Sequence, residues 1–131
     1  MRSHHLTSPT QQRTAKKRYE KRTNPNGEVR LYIVQNLRSG NVKIGVCCYL
    51  DLRDRLRGIQ NGNEDLCALS WGSEWVPRRV GYDIERDVQQ QLKPVLIRNS
   101  WYEMTPDAAT ATFLRHLERW RESLLPMLAH A

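Results

Sequence analysis

Four side chains in this sequence carry groups that act on phosphates. Arg55 offers a planar, permanently charged guanidinium able to bind two phosphate oxygens, and Glu85 a hard carboxylate suited to a divalent cation. Lys43 offers an amine whose pKa falls when it is desolvated beside another cation, and Tyr32 a phenol. Whether they act together depends on the elements that carry them.

Val29 to Gln35 and Val42 to Cys47 are rich in β-branched and apolar residues, with turn-forming Asn36-Leu37-Arg38-Ser39-Gly40-Asn41 between them, which predicts a β-hairpin. Alternation sets Leu31 and Ile33 on one face opposite Tyr32, and Val42, Ile44 and Val46 opposite Lys43 and Gly45. Tyr32 and Lys43 therefore share a face away from the core. Asp51 can cap a helix reaching Gln60, with Leu52, Leu56 and Ile59 as its buried stripe. At about 100° per residue, Arg55 lies about 40° beyond that stripe, where it can reach across a sheet, while Arg57 points to solvent. A third strand is predicted over Leu66 to Trp71 and a second helix over Arg79 to Leu92, with Ile84, Val88 and Leu92 as its stripe. Glu85 sits about 20° past the edge of that stripe, half shielded and facing a groove. Ser100 to Met104 reads as a short strand. Thr105 and Pro106 then open a last helix with Phe113, Leu114, Leu117, Trp120 and Leu124 on one face, which Pro126 is expected to end.

The frame around these elements is α+β: a small sheet covered by helices, in the order β-β-α-β-α-β-α. A chain of 131 residues can bury one core without disulfides or a structural metal. Residues 1–28 read as a basic arm, 29–126 as one domain and 127–131 as a tail. With 21 Lys and Arg against 14 Asp and Glu the net charge is +7, which favours a polyanionic partner, nucleic acid first. Lys16, Lys17 and Arg18 in the arm, with Arg53 and Arg57, are the expected phosphate contacts. No apolar run is long enough for a membrane span and no secretory core is visible near the start, so the expectation is a cytoplasmic protein. Cys47, Cys48 and Cys67 fit neither a disulfide framework nor a zinc knuckle, and are expected as mostly buried thiols. His4, His5, His116 and His130 stand at no metal-ligand spacing.

In succession, Leu31-Tyr32-Ile33 and Lys43-Ile44-Gly45 resemble the paired triplets of GIY-YIG endonucleases. The resemblance continues through Arg55-Leu56, Gln60-Asn61-Gly62-Asn63, Ile84-Glu85 and Ser100-Trp101-Tyr102-Glu103, and is similar to the phage-associated branch whose second triplet is K-I-G. It implies a three-stranded antiparallel sheet flanked by helices, and a DNA endonuclease that uses Mg²⁺ or Mn²⁺. By the same resemblance Glu85 is the metal ligand, Arg55 contacts the scissile phosphate, and Tyr32 lies beside the attacking water. Lys43 stands where the family's second Tyr is usual, either as a proton acceptor or as a charged phosphate ligand. Gly45 allows close approach of substrate or backbone, and Trp101 and Tyr102 are expected to pack in the core.

Three positions depart from the family pattern: Arg30 for the first Gly, Gln89 for a common His, and Ser100 for a common acidic residue. They keep open a second class, a catalytically altered DNA-binding module of a mobile element. A third class is a protein-interaction domain. No readable base-recognition helix is present, so a second copy or a protein partner is expected to supply specificity.

Overall fold

The computed structural model describes residues 21–129. Its centre is the hairpin of β1 (Glu28–Asn36) and β2 (Val42–Cys47), paired antiparallel with Leu31 opposite Val46, Tyr32 opposite Gly45 and Ile33 opposite Ile44. The Asn36 side-chain oxygen accepts from the amides of Arg38 and Ser39, closing the connecting turn. β3 (Cys67–Gly72) flanks β1 on its other side, with a bulge between Ile33 and Val34, and β4 (Val76–Pro77) pairs with the start of β1. Beyond β2 lie two short strands, β6 (Trp101–Tyr102) and then β5 (Leu96–Arg98) at the edge. The protein is α+β, with an antiparallel sheet and three helices.

The helices are α1 (Leu52–Asn61), α2 (Arg78–Gln91) and α3 (Pro106–Ala129). Asp51 caps α1 by accepting from the Arg53 amide at 2.9 Å, and Thr105 Oγ1 accepts from the Ala108 amide at 3.2 Å at the start of α3. Both caps were legible from Asp51 and from Thr105-Pro106.

Strand alternation divides the interior into two layers. On one side Val29, Leu31, Ile33, Val42 and Ile44 pack against Ile84 and Val88 of α2 and Phe113 and Leu117 of α3. Trp71 stacks on Phe113 with centroids 5.6 Å apart. On the other side Tyr32, Val34 and Cys47 meet Leu52 and Ile59 of α1, with Cys67 beneath. Gly81 lets α2 press directly against Val29, where a Cβ would collide with the valine methyl.

Four features differ from the sequence reading. Tyr32, expected on a face away from the core, is buried beneath α1, because that helix covers the second face of the sheet. Leu114 is exposed, because 100° of helical rotation separates it from Phe113; Ala109 and Thr112 fill the buried face instead. α3 runs through Pro126 to Ala129, since the lost amide bond falls in the final turns, where few helical bonds depend on it. Arg22 and Asn24, read as part of an arm, bond through their backbones to Leu50 and Cys48. Cys47 and Cys67 are buried free thiols, as expected, while Cys48 is only partly covered. No described helix is long and apolar enough to cross a membrane.

β5 and β6 form a hairpin whose two turn residues, Asn99 and Ser100, both have positive φ, 51° and 69°. Such a tight turn matches strand twist but favours Gly at its second position, so Ser100 is held at a cost. Ser100→Gly is expected to raise stability by about 1 kcal/mol, read as a higher urea midpoint with unchanged slope.

Candidate active site

The site forms at the outer edge of β2. Because β6 pairs only with Val42 and Lys43, the remainder of that edge is left uncovered by a strand. The Ile44 amide donates to Ser100 O at 3.3 Å, so by alternation the Val46 amide points the same way, away from β1. Glu85 lies one turn beyond Gly81 on α2, close enough to the edge of β2 for the Val46 backbone to lower its pKa. The carboxylate thus reaches around the sheet edge from the helix layer behind it.

On the α1 face, Tyr32 is almost wholly buried, at 1% exposure. Its ring lies over Gly45, where a Cβ would overlap the phenol. The Tyr32 hydroxyl accepts from Arg55 Nε at 3.0 Å, and the guanidinium carbon sits 5.8 Å from the ring centroid. The glycine of the second triplet therefore makes room for the tyrosine of the first. That is a closer reason than the general approach of substrate or backbone expected from sequence.

Lys43 donates from Nζ to Asn99 O at 2.9 Å and lies 5.7 Å from the Trp101 ring centroid. Tyr102 is in the core, as expected, whereas Trp101 is only partly buried. The carbonyl that holds Lys43 belongs to the left-handed turn, a backbone contribution with no side-chain signature in the sequence.

Of the four predicted residues, Tyr32 and Arg55 are in direct contact, while Lys43 and Glu85 share no hydrogen bond or ion pair with Arg55 or with each other; the charges of Arg55 and Glu85 nonetheless act on both Tyr32 and Lys43. Burial pushes the Tyr32 phenol up, against the lowering effect of Arg55. Burial and the Arg55 charge pull Lys43 down, opposed by Glu85. Burial raises Glu85, opposed by Arg55, the Val46 backbone and Lys43. For Arg55, burial is the largest single effect and lowers its pKa, but the hydrogen bond to Tyr32 together with the fields of Tyr32, Cys47 and Tyr49 outweighs it, and the net shift is upward.

Arg53 and Arg57 do not join the cluster. They are exposed on α1 and paired with Asp51 and Asp54. Lys16, Lys17 and Arg18 lie outside the described residues. Arg30 donates to Ser73 O at 2.7 Å and covers Trp75, so it is engaged away from the four. Gln89 and Ser100 line a shallow cleft of about 390 Å³ with Arg86, Lys93 and Tyr102.

Among the described residues, no group of three or more His, Cys, Asp or Glu gathers in metal-binding geometry. Glu85 alone fits Mg²⁺ in the manner of sites that use one carboxylate, several waters and the substrate's phosphate oxygens. No protein-family model, curated protein or solved structure matches the chain.

Two outcomes test this geometry. Gly45→Ala should displace the Tyr32 ring and destabilise the protein by about 1–3 kcal/mol in chemical unfolding, as overpacking does. Arg55→Gln should move both titrations upward, followed by NMR at Glu85 Cδ and Lys43 Cε, because Arg55 holds both down. The folded pKa of Glu85 is raised, so its stabilising contribution is present below the unfolded pKa and is lost as pH rises through the folded midpoint. The variant moves that loss to higher pH.

Proposed function

We propose that this protein is a metal-dependent endonuclease that hydrolyses DNA phosphodiester bonds, on a scaffold of the GIY-YIG kind with β3-β1-β2 as the core of its sheet. The observation that carries the reading is the hydrogen bond between Arg55 and the buried Tyr32, with Lys43 and Glu85, from two further elements, within range of the Arg55 charge.

Arg55 binds the phosphate. Its Nε is committed to Tyr32, which leaves the two terminal nitrogens to face phosphate oxygens as a pair. Lys43 accepts the proton of the attacking water. Burial and Arg55 lower its pKa, so a fraction of the amine is neutral at lower pH than for an ordinary lysine. Its bond to Asn99 O fixes the amine while leaving a lone pair for that proton. Tyr32, with its pKa raised and its hydroxyl buried, is the poorer base; its oxygen accepts from Arg55 and so orients the guanidinium. Glu85 would hold the divalent ion, Mg²⁺ or Mn²⁺, which when bound supplies charge stabilisation at the phosphate and leaving oxygen.

The departures at Gln89 and Ser100, together with the single carboxylate, favour one second reading, a DNA-binding module that has lost hydrolysis. Incubation with supercoiled plasmid in Mg²⁺, Mn²⁺ or EDTA separates the two. Hydrolysis predicts metal-dependent nicking that falls about 100-fold or more in both Glu85→Ala and Arg55→Ala. Absence of nicking by the unaltered protein, with salt-sensitive binding retained, assigns the binding module instead.

A further inference from the structure

Beside Lys43, the β1–β2 turn, the loop after α1 and the β5–β6 turn enclose a cavity of about 550 Å³, within the range of small-molecule sites. Trp101, Asn41, Asn99, Glu64, Asp65 and Arg98 are among the residues that line it. The Trp101 ring is the same one that lies 5.7 Å from Lys43 Nζ, so the cavity adjoins the group that faces the phosphate.

Charge decides what part of a ligand enters. Two carboxylates against one arginine in the lining disfavour a second phosphate and suit a neutral group attached to the phosphate held outside. Asp65 is already engaged, by Asn36 at 3.1 Å and Arg38 at 3.6 Å, and shapes the wall. Glu64 is exposed, and among the described residues the side chains of Glu64, Asn41 and Asn99 hold no hydrogen bond. A flat aromatic wall with hydrogen-bonding groups at its margin is the chemistry that holds an unstacked base. A carboxylate only accepts, so it pairs with the exocyclic amino group of cytosine, adenine or guanine, whereas thymine offers it only the N3–H, flanked by O2 and O4 that repel it.

We infer that this cavity receives the unstacked nucleobase adjoining the phosphate bound by Arg55 and Lys43, stacked on Trp101, with Glu64 selecting bases that carry an amino group. The inference rests on the phosphodiester reading of the neighbouring cluster, but base binding and hydrolysis are separable.

The test is fluorescence anisotropy in EDTA with labelled oligo(dC), oligo(dT) and an abasic oligonucleotide of equal length. The unaltered protein is expected to bind oligo(dC) about 5-fold or more tighter than the abasic strand, and tighter than oligo(dT). Trp101→Ala should remove the advantage over the abasic strand. Glu64→Gln, at an exposed position where folding is not at risk, should bring oligo(dC) and oligo(dT) to near equality. Equal affinity for oligo(dC) and the abasic strand overturns the inference, as does a dC-to-dT ratio unchanged in Glu64→Gln. Plasmid nicking by the same preparations separates the two readings: nicking without base discrimination removes the base site and leaves the nuclease, and base discrimination without nicking does the reverse.

Discussion

Tyr32 is buried under α1 with its ring laid across the one residue in β2 that has no side chain. Burying a tyrosine removes its hydroxyl from water, and the loss is made good only if the oxygen finds a partner. Arg55 Nε is that partner, at 3.0 Å. The consequences spread outward in order. The ring joins the hairpin to α1, the bond orients the guanidinium, and that orientation decides which of its nitrogens remain for a ligand. Any side chain at position 45 would push the ring away and with it the arginine.

Around this contact, one carboxylate sits among two cations in a half-buried setting. Glu85 is raised by burial yet restrained by Arg55, the Val46 backbone and Lys43. Lys43 is lowered by burial and by Arg55 and restrained in turn by Glu85. In the same burial, Arg55 and Lys43 favour the charged form of Glu85, whereas Arg55 favours the neutral form of Lys43 and Glu85 resists it, a balance open to change by an incoming anion. A phosphate would reduce the repulsion between the cations, and a divalent ion would reduce that between phosphate and carboxylate. Phosphate and ion are thereby expected to favour each other's binding.

Much of this was legible in the sequence, because it follows from two periods. The period of two in Leu31-Tyr32-Ile33 and Val42-Lys43-Ile44 set Tyr32 and Lys43 opposite Leu31, Ile33, Val42 and Ile44, and the structure agrees, but the face read as lying away from the core is covered by α1 and Tyr32 is buried there in a second cluster. The helical period placed Arg55 and Glu85 just past the buried stripes of α1 and α2. What periodicity could not supply lies in the backbone and in short elements. β5 has three residues and β6 two, too few for any repeat to show, and Asn99-Ser100 lacks the glycine that marks such turns. The Val46 amide and the Asn99 carbonyl have no residue signature at all. The pairing of Arg22 and Asn24 with Cys48 and Leu50 is carried by main-chain groups inside a polar stretch. Leu114 misled for a different reason: an apolar residue beside a stripe is not evidence that it belongs to the stripe.

The same short elements explain how residues from opposite layers of the sheet meet. Tyr32 and Arg55 lie on the α1 side, while Glu85 belongs to a helix packed on the other. A sheet continued fully along β2 would place another strand between them. β6 pairs only with Val42 and Lys43, so no strand covers the edge at Val46, whose backbone acts on the Glu85 carboxylate. The tight Asn99-Ser100 turn lies at that limit, with Ser100 O taking the Ile44 amide and Asn99 O taking Lys43 Nζ. Its left-handed residues are thus where backbone strain is spent on position: they end the strand early enough to open the edge, and they aim a carbonyl at the amine beside it.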